Sequence, residues 1–214
     1  MNLYRKQIYP TSYYHGSVEN NQLLKDLLIP SIKEYSSDPD KNKPPNGWLT
    51  DNMVTSFSND EVSQMLTDDN SEIGAELKKQ YFKVLNGFFD KDFAISLDQM
   101  WYNVYSNGEY QESHTHLGGP THPLHFACVH YLSFNPQIHT LLAFTDPLTR
   151  MRNFSVEMDS HNYSEKHRPL VQEGDFLMFP SWLEHEVKAG PPTPEYPRIS
   201  IAFNITVTKY GSDE

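Results

Sequence analysis

The sequence predicts a mainly β fold buttressed by N-terminal helices, and three observations carry that prediction. The chain changes character near residue 93, from helical periodicity to short strand-like runs. Beyond that point, runs rich in β-branched and aromatic residues are separated by Gly, Pro, Asn and Asp, with no helical pattern between them. Such a succession reads as a sandwich, a barrel or a jelly roll. Aromatic residues make up 13% of the chain within a hydrophobic fraction of only 37%, so rings supply much of the core.

The helical part comes first. NNQLLKDLLIPSIKEY places Leu23, Leu24, Leu27, Leu28 and Ile32 on one face, with Pro30 as a kink or break. SNDEVSQML opens on Ser58 with Glu61 three residues on, a capping-box pattern. SEIGAELKKQYFKVLNGFF sets Ile73, Leu77, Tyr81, Val84, Leu85 and Phe88 at helical spacing. A Pro- and Asn-rich loop, SSDPDKNKPPNGWLTDN, separates the first two helices. The strand runs follow: FAISLDQMWYNVY, FACVHYLSF, TLLAF, GDFLMF and RISIAFNITVT. The helical part is too small to bury a core alone, so we expect one domain over 1–214, a helical and loop buttress at 1–92 and a β-core at 93–210.

Composition excludes several roles. Lys and Arg number 17 against 28 Asp and Glu, and a formal net charge of -11 argues against binding a nucleic-acid backbone or an anionic membrane. Cys128 is the single cysteine, so no disulfide forms within the chain, and its FACV setting marks a small buried hydrophobe. The opening residues lack a signal-peptide core, and no apolar run is long enough to span a bilayer. The expectation is a soluble cytoplasmic protein.

Five of the ten histidines fall between residues 114 and 130, and two of them form the triplet HTH. In an extended chain residues i and i+2 share a face, so His114 and His116 can grip one ion. Imidazole suits iron, zinc, copper and nickel alike; chance placement on a polar loop is the competing reading. A third ligand has to come from another strand, and His185 in EGDFLMFPSWLEHEV follows a corner that places it at a strand rim. An ordinary turn histidine between Glu184 and Glu186 reads equally from that stretch alone. In RISIAFNI, alternation puts Arg198 and Ser200 on one face and Ile199, Ile201 and Phe203 on the other. If that first face points inward, Arg198 needs an anionic partner, and a bound carboxylate supplies one. If it points outward, Arg198 is a solvated surface cation.

In order and spacing these segments resemble the iron(II)- and 2-oxoglutarate-dependent oxygenases, in particular their prolyl-hydroxylase-like branch and a group of small stand-alone oxygenases. YSNGEYQESHTH supplies Tyr105, Gly108, Tyr110, His114 and His116; FPSWLEHEV supplies His185; RISIAFN supplies Arg198 and Ser200; WYNVYSNGEY and FTDP fit as well. The resemblance covers roughly residues 97 to 207. It implies a double-stranded β-helix, a cupin-like jelly roll with a metal inside one open end. It implies iron(II) held by His114 and His185, and the spacing and strand face of His116 favour it as the third ligand. It places the distal carboxylate of 2-oxoglutarate on Arg198, Ser200 and Tyr105. The implied reaction consumes O2, releases succinate and CO2, and hydroxylates a C–H bond of a prolyl or other peptidyl residue or of a small metabolite, with ascorbate as a reductant.

One position departs from the pattern. The family's H-x-D motif reads H-x-H here, so an imidazole stands where a carboxylate adds negative charge. Glu112, Asp146 and Glu184 are the nearby carboxylates, and His122, after the stretch LGGPTHP, is the reserve ligand. The departure keeps two other readings open, a non-catalytic cupin-like metal- or ligand-binding protein and a zinc hydrolase; the second gives Arg198 no role. Asn103 shares a strand face with Trp101 and Tyr105, and reads as a site contact or, more readily, as a buried amide satisfied by backbone. Trp182 lines the pocket or packs the corner, Tyr131 is core, and the loops 36–52 and 145–172 cover the mouth.

Overall fold

The computed structural model describes residues 11–38, 42–50, 52–119, 122–148 and 166–210. Strand β1 (Tyr14–Ser17) precedes helix α1 (Asn21–Ser36), a two-residue strand β2 (Val54–Thr55), and helices α2 (Asp60–Thr67) and α3 (Glu72–Leu85). The rest is β: β3 (Phe93–Tyr105), β4 (Gln111–His114), β5 (Gly118–Gly119), β6 (His122–Pro123), β7 (Phe126–Ser133), β8 (Leu142–Thr145), β9 (Lys166–His167), β10 (Asp175–Pro180), β11 (His185–Val187) and β12 (Arg198–Lys209). Every strand pairing is antiparallel. A six-stranded sheet runs β1-β10-β7-β12-β3-β2, and a four-stranded sheet runs β4-β11-β8-β9. The result is a jelly roll carrying helices on the outer face of its larger sheet, one of the three architectures the strand runs allow and the one the resemblance implies.

Strand alternation divides the larger sheet into two faces with different tasks. Met100 and Tyr102 of β3, Cys128 and Leu132 of β7, Phe176 and Met178 of β10, and Ile199, Ile201, Phe203 and Ile205 of β12 pack against the helices. The helices meet them with Leu24, Leu28 and Ile32 of α1 and Leu77, Tyr81 and Leu85 of α3. The opposite face points into the barrel. There Ala127, Val129 and Tyr131 of β7 and Leu177 and Phe179 of β10 pack with Leu142 and Phe144 of β8. Tyr131 is fully buried, as expected for a core residue.

Three local details differ from the sequence reading. Asn59, not Ser58, caps α2, its side chain accepting from the Val62 amide at 3.2 Å. The fully buried stripe of α1 is the single i, i+4, i+8 row Leu24, Leu28 and Ile32, with Ile29 and Tyr35 partly buried beside it and Leu23 43% exposed. The helix also runs through Pro30, which is exposed, so the backbone donor that proline lacks is missing on the solvent side. Among the described residues no helix is long and apolar enough to cross a membrane.

Candidate metal and 2-oxoglutarate site

The inner face of the β3–β12 pair forms one wall of a cavity of about 320 Å³. β3 contributes Gln99, Trp101, Asn103 and Tyr105, and β12 contributes Arg198, Ser200, Ala202 and Asn204. The register sets Arg198 opposite Tyr105 and Ser200 opposite Asn103. The opposite wall carries His114, His116 and His185, and Trp48 and Phe57 stand with them on the lining.

The histidines converge because the smaller sheet pairs them. His185 opens β11 between β4 and β8, with His114 and Phe144 as its cross-strand neighbours. His116 lies two residues beyond His114, and its backbone amide donates to the Ser181 carbonyl at 2.7 Å. The ring centroids of His114 and His185 are 4.2 Å apart, and His116 lies 5.1 Å from each. One ring nitrogen from each falls within 4.8 Å of the others. Among the described residues no carboxylate joins this group. Glu112 accepts from the Leu49 amide, Glu184 from the Ser113 hydroxyl and Asp146 from the Leu148 amide. None of the three replaces His116. His122 pairs with Gly119 in a separate two-stranded ribbon, and its side chain lies outside the described residues.

Hydrogen bonds fix which nitrogen each ring offers. His114 Nδ1 donates to the Glu112 carbonyl at 2.7 Å, and His185 Nδ1 to the Leu183 carbonyl at 3.0 Å. His116 Nδ1 meets Asn204 Oδ1 at 2.7 Å. With Nδ1 committed as donor in each ring, the Nε2 lone pair is the one left for an ion. Burial, reinforced by the neighbouring imidazoles, lowers the pKa of His185 far below the ordinary value and that of His116 to about 4; burial lowers His114 as well. All three rings are therefore neutral near pH 7, the form that ligates metal.

Arg198 is 2% exposed. Its guanidinium sits 4.6 Å from the Tyr105 ring, 5.5 Å from Tyr131 and 5.9 Å from Phe134, and its Nε and Nη1 have no hydrogen-bond partner among the described residues. A buried cation with two orphan donors calls for a bidentate anion, and a carboxylate matches that fork. Burial raises the Tyr105 phenol against the pull of Arg198, so it stays protonated at neutral pH and can donate as well. Arg198 is thus the inward-facing arginine of the two readings, and the donor set fits a molecule with an anionic end here and a chelating end at the histidines.

The turn between β3 and β4 also has a local cause. Gly108 takes a φ of 83°, which glycine adopts without strain, and the buried Glu109 carboxylate accepts from the Ser106 amide at 2.6 Å. Tyr110 then donates to the Leu49 carbonyl at 2.9 Å, tying the neighbouring Trp48 to β4.

A family model described as "Putative 2OG-Fe(II) oxygenase" matches residues 99–204, the span that holds every expected site residue. The chain belongs to the iron(II)- and 2-oxoglutarate-dependent oxygenases. It is an oxygenase of that class, with iron(II) and 2-oxoglutarate as metal and co-substrate. No curated protein matches the sequence at a significant level. Solved structures share the fold at low identity. A prolyl hydroxylase from Trichoplax adhaerens, solved with a hypoxia inducible factor peptide fragment, is 10% identical with a TM-score of 0.61, covering 90% of this chain and 82% of its own. EctD from S. alaskensis, solved with 2-oxoglutarate and 5-hydroxyectoine, is 12% identical with a TM-score of 0.55, covering 92% and 72%. The collagen prolyl hydroxylase of Paramecium Bursaria Chlorella virus-1 is 14% identical with a TM-score of 0.52, covering 90% and 94%.

Several expectations about the oxygenase site are revised. Asn103 lines the cavity, and among the described residues its buried Oδ1 has no partner, so the described backbone does not satisfy it. Trp182 is 47% exposed and absent from the lining. Loop 36–52 does reach the site, through Trp48; of the other expected cover, residues 149–165 lie outside the described residues. Sequence reading missed Asn204, Trp48 and Phe57. The alternation that carries Arg198 and Ser200 inward also carries Ala202 and Asn204.

Proposed function

We propose that this oxygenase hydroxylates an unactivated C–H bond, with His114, His116 and His185 holding iron(II) and with Arg198, Ser200 and Tyr105 holding the distal carboxylate of 2-oxoglutarate. The observation that carries the reading is Arg198, a buried cation with two donors unpartnered among the described residues, facing the same cavity as the histidine cluster. When bound, iron(II) and 2-oxoglutarate together supply O2 activation, with succinate and CO2 as co-products.

The protein's own groups bind, orient and exclude water. Three neutral imidazoles present Nε2 lone pairs without local rearrangement. The Arg198 fork and the Tyr105 hydroxyl fix one end of the co-substrate. Trp48, Phe57 and Trp101 form a continuous aromatic edge, with centroid separations of 5.1 and 5.0 Å, beside His114 and His116. That edge favours an acceptor with an apolar or ring-bearing group, and among the described lining side chains Arg198 alone carries a fixed charge. We favour a prolyl or other peptidyl residue as acceptor; likeness in fold to the peptide-bound prolyl hydroxylase supports it.

His116 in place of a carboxylate is the one feature favouring a non-catalytic binding protein. Succinate formation from 2-oxoglutarate separates the two. The purified protein is loaded anaerobically with iron(II) and ascorbate, then exposed to O2, beside His114→Ala and Arg198→Ala. Slow succinate release by the wild type, lost in both variants, supports the oxygenase. Tight 2-oxoglutarate binding with no succinate, even across a library of proline-containing peptides, makes it a binding protein.

A further inference from the structure

We propose that Asn204 is a positioning residue: its side-chain carbonyl holds His116 in the tautomer that makes it a metal ligand. The proposal rests on the three-histidine reading above. The three rings are not held alike. His114 and His185 each donate Nδ1–H to the backbone carbonyl two residues earlier, a local arrangement that their own turns provide. His116 depends on a side chain 88 residues away, at 2.7 Å across the barrel. It is also the residue that stands where the family has a carboxylate.

Asn204 has a second peculiarity. It is 5% exposed in the run IAFNI, between Phe203 and Ile205, which face the helices and are fully buried. A buried amide in such a strand is destabilising unless it is used. Its use here is to accept from His116 Nδ1–H, which leaves Nε2 bare. Trp101, stacked on His116 at 5.7 Å and 25°, limits rotation of the ring, while the His116 amide bond to Ser181 anchors its backbone. Position and tautomer are thus set by different groups, and only Asn204 sets the tautomer. An amide does this without adding charge, so the ligand set stays neutral; a carboxylate at 204 accepts the same bond.

The test reads the tautomer and the metal separately. Long-range nitrogen-15 correlation spectra of the metal-free protein report which His116 nitrogen carries the proton. Cobalt(II) titration, followed by its visible absorption, reports affinity. We expect Nδ1–H in the wild type and in Asn204→Asp, and a mixture or Nε2–H in Asn204→Ala. Cobalt affinity drops about 10- to 100-fold in Asn204→Ala and returns to the wild-type range in Asn204→Asp. Nε2–H in the wild type overturns the proposal without any variant, so a variant that fails to fold does not shelter it. An unchanged tautomer and affinity in Asn204→Ala overturn it too, as does an Asn204→Asp protein that behaves like Asn204→Ala. If the wild type takes up no cobalt at all, the three-histidine reading falls, and the proposal with it, whatever the tautomer.

Discussion

Replacing Arg198 with methionine separates binding from folding. Among the described residues two buried donors of Arg198 have no partner, and each such donor is destabilising by about 1–3 kcal/mol, so their removal relieves about 2–6 kcal/mol. Against this stands the loss of three ring contacts at 4.6, 5.5 and 5.9 Å, each contributing about 0.5–2 kcal/mol. The two effects nearly cancel, and we expect the stability of the metal-free protein to change by less than about 2 kcal/mol. Breaking a formed buried ion pair would cost about 3–5 kcal/mol. Binding responds differently. Two charge-assisted hydrogen bonds to a carboxylate contribute about 3–6 kcal/mol, so the Kd for 2-oxoglutarate rises about 10²- to 10⁴-fold. Urea denaturation of the metal-free protein and calorimetric titration with 2-oxoglutarate measure the two quantities. A stability loss above about 3 kcal/mol with unchanged affinity would show that Arg198 is structural, and would refute the reasoning.

Acid should weaken the metal-free protein well before its carboxylates titrate. Burial holds the folded-state pKa of His116 at about 4 and of His130 at about 3, whereas both titrate near 6.5 when unfolded. Stability is therefore greatest above pH 6.5 and falls toward pH 4, by up to about 1.4 kcal/mol per pH unit per group, because only the unfolded chain takes up these protons. A flat profile of denaturation midpoint over that range contradicts this. Tyr81→Phe strands His130 Nδ1, which the Tyr81 hydroxyl meets at 3.0 Å inside the helix–sheet core. It should lower stability by about 1–3 kcal/mol in thermal melts and leave 2-oxoglutarate affinity alone. Gly108→Ala forces a side chain into a φ of 83°, with the Gly190 carbonyl 3.3 Å from the added carbon. A loss of about 1–2 kcal/mol is expected by denaturant titration, and no loss would mean that the turn relaxes.

Long periodic segments were legible and short polar ones were not. β3 matches the predicted run from Phe93 to Tyr105, and Leu77, Tyr81 and Leu85 of α3 bury as their spacing requires. β4 and β11, four and three residues long, carry QESH and HEV, which have no strand signature by themselves. Their pairing comes from tertiary context, yet it is what brings His114 and His185 together. His185 is legible from the corner that follows the GDFLMF strand and from the family resemblance, not from the propensity of HEV itself. The direction in which Arg198 points could not be read from RISIAFNI, because both faces of β12 are buried and its apolar and polar residues alternate either way. Asn59 and Ser58 are both good caps, and one residue of register decided between them. Trp48 and Phe57 reach the cavity from irregular chain, where no periodicity marks a face.

The account rests on one cavity holding a metal and 2-oxoglutarate together, and anaerobic calorimetry with 2-oxoglutarate, with and without iron(II), tests this most directly. We predict one-to-one binding that strengthens markedly when iron(II) is present, and that the gain disappears in His114→Ala while Arg198→Met weakens binding under both conditions. Binding that ignores iron(II), or that survives both substitutions, would place 2-oxoglutarate outside this cavity and contradict the account.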